Sequence, residues 1–312
     1  MEFRNINTFL CVAEMQSFSR AANKLGYSQS NVSFQIRQLE EELGVRLFER
    51  TGKTIQITEP GQDFLFYANE IQRLSDQAAA SVKIPKGKGR EALTGLLRIG
   101  SIESIATAIM PDLLAGFHRL YPQMQILVYT EGGRNILIDQ VRNNQIDLFF
   151  DLNERMTIPS LKRELLRREE IVFLSGEPVA SQKNRKLSLR EIVKQDFVLT
   201  EHGEGYRNEL DRLLAQYDLH IIPVIEFGNP ETIIHLVERK IGLSFLPLFC
   251  AEEKVKSGQL FIVETDTPKI YMYSQIFYHK NKWITPQMQA LLSFITHYFN
   301  TPNGASKKPD EC

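Results

Sequence analysis

The stretch from Ser17 to Glu42, SFSRAANKLGYSQSNVSFQIRQLEEE, constrains this chain more than any other. In its second half Val32, Ile36, Leu39 and Leu43 recur at i, i+4, i+7 and i+11, one stripe of an α-helix that has to face a core. The first half offers Phe18, Ala21, Ala22 and Leu25, a matching stripe whose alanines let two helices approach closely. Gly26 follows, where a helix can stop in the left-handed conformation that glycine adopts at little cost. Ser28 is placed to cap the next helix. Two short helices joined by a tight turn are the expected result.

The residues that the second stripe leaves outside carry the functional signal. They are Gln29, Ser30, Asn31, Ser33, Phe34, Gln35 and Arg37. Amides, hydroxyls and a guanidinium pair with base edges and phosphates, whereas an ordinary solvated helix face is rich in Glu and Lys. Here the acidic run Glu40, Glu41, Glu42 is held back to the far end. The pattern predicts a helix-turn-helix whose second helix reads double-stranded DNA.

Extended to SFSRAANKLGYSQSNVSFQIRQLEEELGVRLFERTGKTIQITEPG, the stretch resembles the N-terminal domain of the LysR-type transcriptional regulators. The resemblance is motif-specific over about the first 65 residues, and in organisation it continues to about residue 299. Relatives often carry a small residue or proline where this chain has Asn31, and a basic or polar residue where it has Phe34. An operator sequence therefore cannot be carried over.

Net charge is -1, so nothing global announces nucleic acid. Residues 1–60 hold seven basic side chains (Arg4, Arg20, Lys24, Arg37, Arg46, Arg50, Lys53) and seven acidic ones (Glu2, Glu14, Glu40, Glu41, Glu42, Glu49, Glu59). DNA affinity must then come from placement, with Arg20, Arg37, Arg50 and Lys53 facing phosphate, and from doubling by oligomerisation. No apolar run approaches a membrane span, and residues 1–20 lack a signal-peptide core. Cys11, Cys250 and Cys312 show no metal or CxxC spacing, which fits a reducing cytoplasm. No cofactor or metal is expected.

The chain divides into four parts. Residues 1–58 form a winged helix-turn-helix. Asn5 or Asn7 can cap a first helix with Ile6, Phe9, Leu10 and Ala13 inside, and two short strands at 47–50 and 55–57 flank a turn that puts Lys53 at the wing tip. Residues 59–89 form a linker helix, capped by Thr58, and a hinge. Phe64, Tyr67, Ile71, Leu74 and Ala78 make a stripe too long for a small domain to bury, so self-pairing is expected. The resemblance implies the same dimerising helix, and commonly a tetramer built as a dimer of dimers. Pro85, Gly87 and Gly89 among basic residues at 83–93 mark the hinge, and Gly-Lys-Gly there lacks the frame of a phosphate loop. Residues 301–312 are polar and expected to be disordered.

Residues 90–300 alternate strand and helix, the pattern of parallel sheets with helices on both faces. One helix is expected over 105–120. Two α/β lobes, 90–162 with 268–300 and 163–267, joined by two crossover strands, would enclose a cleft. The family has this architecture, like that of periplasmic solute-binding proteins. Ligands in such sheets sit beyond the carboxyl ends of the strands, which selects Ser101, Ile102, Thr130, Glu131, Thr200, His202 and Asn229. The resemblance implies effector contact at Ser101, Thr130, Thr200 and near His202. Arg134, His202 and Arg207 at the rim, with helix starts at 101–104 and 132–134, point to a small organic anion.

Three function classes compete: a DNA-binding regulator sensing a metabolite, a solute-binding protein, and an enzyme using the same cleft. The N-terminal motif and the missing secretion signal count against the second. No Ser/His/Asp set, carboxylate pair, metal cluster or cofactor loop supports the third. The expected partners are promoter or operator DNA, a small-molecule effector, further copies of the chain and RNA polymerase, with no membrane.

Overall fold

The computed structural model describes residues 1–51, 54–81, 93–130, 133–179, 186–203 and 205–300. The hinge up to residue 92, the wing tip with Lys53, Glu131 and the tail at 301–312 lie outside the described residues. Two compact units divide the chain, Met1–Gly87 with Asp139–Ile146, and Lys88–Ile138 with Asp147–Cys312.

In the first unit three helices, α1 (Phe3–Met15), α2 (Phe18–Leu25) and α3 (Gln29–Leu43), precede a two-stranded antiparallel wing, β1 (Phe48–Thr51) and β2 (Thr54–Ile57), and the long helix α4 (Glu59–Ser81). The caps explain the boundaries. Ser17 accepts from the Arg20 N–H and Ser28 from the Asn31 N–H, while Gly26 and Gly44 end α2 and α3 at φ 69° and 70°. Thr58 accepts from the Gly61 N–H at 3.0 Å and starts α4. Phe9 centres the core, its ring 5.2 Å from that of Phe48 and 4.9 Å from that of Phe64.

Three sequence expectations fail in this unit. Neither Asn5 nor Asn7 caps α1, which begins at Phe3 behind Glu2; Asn5 is buried and donates to Gln38 Oε1 at 3.2 Å. Gln35 faces inward at 2% exposure, because Thr8 and Asn31 satisfy its amide. Leu43, the last residue of the expected core stripe, is 37% exposed, because the helix ends there and the core has run out.

The second unit is built on a seven-stranded mixed sheet in the order β10-β6-β11-β5-β3-β4, with β9 also on β6. In chain order the elements after the hinge are β3 (Gly95–Ser101), α5 (Glu103–Ala108), α6 (Met110–Leu120), β4 (Met124–Tyr129), α7 (Gly133–Arg142, whose last turn belongs to the first unit), β5 (Leu148–Asn153) and β6 (Leu161–Ser175). There follow α8 (Leu189–Ile192), β7 (Val198–Leu199), α9 (Gly205–Ala215), β8 (Ile225–Glu226), α10 (Pro230–Glu238), β9 (Ser244–Pro247), α11 (Glu252–Lys256), β10 (Phe261–Val263), β11 (Ile270–His279) and α12 (Pro286–Asn300). The pairs β3–β4, β3–β5 and β7–β8 are parallel, as the alternation predicts. The crossover strands are not: β6 and β11 pair antiparallel, and β9 and β10 join β6 antiparallel. The helix expected over 105–120 is broken at Ile109, because Pro111 lacks the N–H that would bond back to Thr107.

Gly61 is forced by packing. A Cβ there would lie 2.2 Å from the Leu47 carbonyl oxygen and 2.7 Å from Ile57 Cγ1. Gly61→Ala should therefore destabilise the winged helix-turn-helix by about 3 kcal/mol, read as a lower unfolding midpoint in urea. An unchanged midpoint would mean that α4 can slide away from the wing.

Candidate functional site

The first candidate surface is the front of α3. Gln29, Ser30, Asn31 and Arg37 are exposed, Phe34 is 61% exposed and Ser33 is half-buried, so all six stand on the face opposite the core. Two of the polar groups are tied in place by neighbouring side chains. Ser19 on α2 donates to Gln29 Oε1 at 3.1 Å, and Gln35 Nε2 donates to Asn31 Oδ1 at 3.1 Å. Ser28 combines its capping role with a 2.9 Å hydrogen bond to the Ser30 hydroxyl. Arg20 turns back to the Met15 carbonyl. The Arg50 side chain and Lys53 lie outside the described residues.

The stripe on α4 splits. Phe64 and Ile71 pack on the core of their own domain, so they are not simply a free seam. Tyr67, Leu74 and Ala78 stay exposed on α4.

The second candidate surface lies at the carboxyl ends of the parallel strands. Gly100 pairs with Tyr129 and Ser101 with Phe150, which brings Ser101 and Thr130, at the ends of β3 and β4, close in register to Asp151 within β5. Ser101 is buried and donates to the Ile102 carbonyl at 3.0 Å, and Ile102 itself is buried. In the other lobe Thr200 follows β7 and Asn229 follows β8, the two strands being parallel neighbours. Asn229 caps α10 through the Thr232 N–H and reaches Glu103 Oε2 at 3.4 Å, a hydrogen bond from lobe to lobe. A second approach is closer. A Cβ on Gly205, at the start of α9, would lie 2.7 Å from the Leu152 carbonyl oxygen and 3.0 Å from Met272 Cε.

The rim cations are corrected by the structure. Arg207 is 2% exposed and already engaged, donating to the Thr200 carbonyl at 2.8 Å and pairing with Asp211 at 3.1 Å and Glu226 at 3.2 Å. His202 stands 3.3 Å from Asp211 and 3.7 Å from Glu226 rather than over the strand ends, its side chain 68% exposed. The Arg207 charge is matched by carboxylates because a buried guanidinium is costly without them. The helix start at Ser101–Ser104 also counts for less than expected, since α5 has only six residues.

The sequence reading missed Asp151 and Gln275, and named Ser104 only as part of the helix start at 101–104. Asp151 pairs with Arg134 at 2.6 Å, and burial outweighs that cation and lifts its carboxyl to about 6. Arg134 Nε, Ser104 Oγ and Gln275 Oε1 are buried and have no hydrogen-bond partner in the structure. The rule that selected Ser101 and Thr130 would have found Asp151, which directly follows the apolar run Leu148–Phe150. Burial, reinforced by Glu169, raises the Cys250 thiol far above its usual range, so it is a poor nucleophile. Among the described residues no group of three His, Cys, Asp or Glu side chains could hold a metal, and no helix is long and apolar enough to cross a membrane. A separate concavity of about 700 Å³ lies between α12 and the strands β6 and β11, bordered by Lys162, Tyr278 and Phe299 and distinct from the strand-end residues.

The raised Asp151 pKa has a sign that can be measured. Its folded value of about 6 lies above the ordinary 3.8, so the folded state holds the extra proton between them and stability falls as pH rises through that window. Relative to Asp151→Asn, the wild-type chain should lose about 2 kcal/mol between pH 4 and pH 6, measured by chemical unfolding. Parallel pH profiles would mean that Asp151 stays ionised.

Comparison with known proteins identifies the two domains that carry these surfaces. Residues 3–62 match the model of the bacterial regulatory helix-turn-helix protein, lysR family, and residues 90–300 match the LysR substrate binding domain. The HTH-type transcriptional regulator GltR of Bacillus subtilis is 30% identical over 313 residues, covering 100% of both chains. YofA of the same organism, also an HTH-type transcriptional regulator, is 30% identical over 300 residues, 95% of this chain and 98% of its own. Among solved structures, a full-length OxyR variant from Pseudomonas aeruginosa superposes with a TM-score of 0.64 at 22% identity, covering 95% of this chain and 94% of that one. Full-length BenM gives 0.54 at 23% identity, covering 97% and 100%. An N-terminal DNA-binding helix-turn-helix joined to a C-terminal two-lobed domain of this kind makes the chain a member of the LysR family of transcriptional regulators.

Proposed function

We propose that the chain is a sequence-specific DNA-binding regulator switched by a small organic anion held between the lobes of its C-terminal domain. The observation that carries the ligand class is the pair of buried, unpartnered donors, Arg134 Nε and Ser104 Oγ, in the lobe that also supplies Ser101 and Thr130. Buried polar groups are ordinarily satisfied, and an oxyanion satisfies donors of both kinds. Thr200 and Asn229 face this group from the second lobe. His202 and Arg207 act indirectly, by holding the Thr200–Glu201 loop against α9 and β8. Glu131 is a further contact in this reading. A ligand with greater affinity for one lobe arrangement shifts the population toward it, and that is the only way it can alter DNA binding.

On the DNA side Ser28, Gln29, Ser30, Asn31, Ser33 and Phe34 meet base edges, sugars and nearby phosphate, while Arg37, Arg50 and Lys53 meet phosphate. Two such domains, paired through α4 and commonly doubled again, read two half-sites and present the promoter to RNA polymerase in the cytoplasm. The exposed Tyr67, Leu74 and Ala78 support the pairing, because they are the part of the α4 stripe that the domain core leaves uncovered.

Two measurements test this. Thermal shift of the intact chain against organic acids, amino acids, sugars and cations should single out an organic anion, with the shift lost in Thr130→Val. A neutral sugar or a cation as the sole hit would sink the anion reading. Separately, Leu74→Glu should leave the fold intact, because Leu74 is exposed within the monomer, yet place two charges in a dry seam at a cost of several kcal/mol. Sedimentation should show a smaller species with weak affinity for paired half-sites; an unchanged oligomer would assign the dimer to another surface.

A further inference from the structure

Behind Asn31 runs a short directional chain of hydrogen bonds. Thr8 on α1 donates its hydroxyl to Gln35 Oε1, which leaves the Nε2 end of that amide to donate to Asn31 Oδ1 at 3.1 Å. Thr8 and Gln35 are both buried in the helix-turn-helix core, among Ile6, Phe9, Val32 and Ile36. An aliphatic side chain would fill that space without the desolvation that an amide and a hydroxyl impose. What the amide does beyond joining α1 to α3 it does at Asn31, the one exposed residue in the chain of contacts.

We infer that Thr8 and Gln35 are positioning residues for DNA readout. They hold the Asn31 amide in one orientation, its oxygen turned toward Gln35 and its Nδ2 donors turned to the groove. Gln29 Oε1 likewise accepts a hydrogen bond, from the exposed Ser19 hydroxyl at 3.1 Å. The front of α3 thus leads with amide donors. Guanine O6 and N7, adenine N7 and thymine O4 accept hydrogen bonds in the major groove, whereas cytosine offers its N4 amine. Asn31 then favours an accepting base edge and discriminates against cytosine at the position it faces. This inference rests on the reading of α3 as the helix that meets base edges.

Selection from a randomised duplex library by the full-length chain, followed by competition binding at each base pair, tests it. Asn31→Ala should lose about ten-fold discrimination at one base pair per half-site. Gln35→Met keeps the volume, and Thr8→Val keeps the shape. Each should lose most of the discrimination at that same base pair, while affinity for random duplex stays within about two-fold and unfolding stays cooperative. The Asn31→Ala/Gln35→Met double variant should discriminate no worse than Asn31→Ala alone. If Asn31→Ala changes no single base pair, both the base-facing reading and the relay fall. If Asn31→Ala does so but Gln35→Met and Thr8→Val keep full discrimination, the relay alone falls. Equal loss on selected and random duplex in Gln35→Met, with Thr8→Val unaffected, would make Gln35 a packing residue and overturn the relay too.

Discussion

The antiparallel ladder between β6 and β11 is the element on which the C-terminal domain depends. It runs for ten residue pairs, from Ile270 opposite Ile171 to His279 opposite Leu161, and it is continuous from one lobe into the other. The far end of β6 carries β9 and β10, and the far side of β11 carries β5, so each lobe is hydrogen-bonded to the same ribbon. Buried polar groups sit in the middle of the ribbon, with Ser274 donating to Glu169 at 2.8 Å and a register shift between Ser274 and Gln275. A bulge at that point bends and twists the strand locally.

The N-terminal domain makes a different compromise. Its core is aromatic and aliphatic around Phe9, but two polar pairs, Asn5 with Gln38 and Thr8 with Gln35, run between α1 and α3. Such pairs contribute little net stability over well-packed apolar residues, yet they restrict how two helices can slide and rotate against each other. The reading helix is thereby fixed in register against the rest of the domain. Its outward amides inherit that register.

Much of this architecture was legible in the sequence, because periodicity and capping are local. The stripes of α2 and α3, the stops at Gly26, the caps at Ser28 and Thr58 and the strand ends at Ser101, Thr130, Thr200 and Asn229 all follow from near neighbours in the chain. The errors share one cause. Gln35 looks like a surface residue, and is buried because Thr8, in a different helix, satisfies it. Arg207 looks like a rim cation, and is buried because Asp211 and Glu226 converge on it. Phe64 and Ile71 look like a seam for a second copy and find partners in their own domain. In each case a tertiary neighbour reversed the assignment, and a helical wheel carries no information about tertiary neighbours. The antiparallel course of β6 and β11 was hidden for the same reason, since alternation of strand and helix says nothing of the return path.

Gly205 gives the domain a mechanical property. With only a hydrogen where a Cβ would meet Leu152 and Met272, the start of α9 sits directly against β5 and β11, and any larger residue at 205 would act as a wedge between the lobes. The hydrogen bond from Asn229 to Glu103 at 3.4 Å is a second, looser tie between the same lobes.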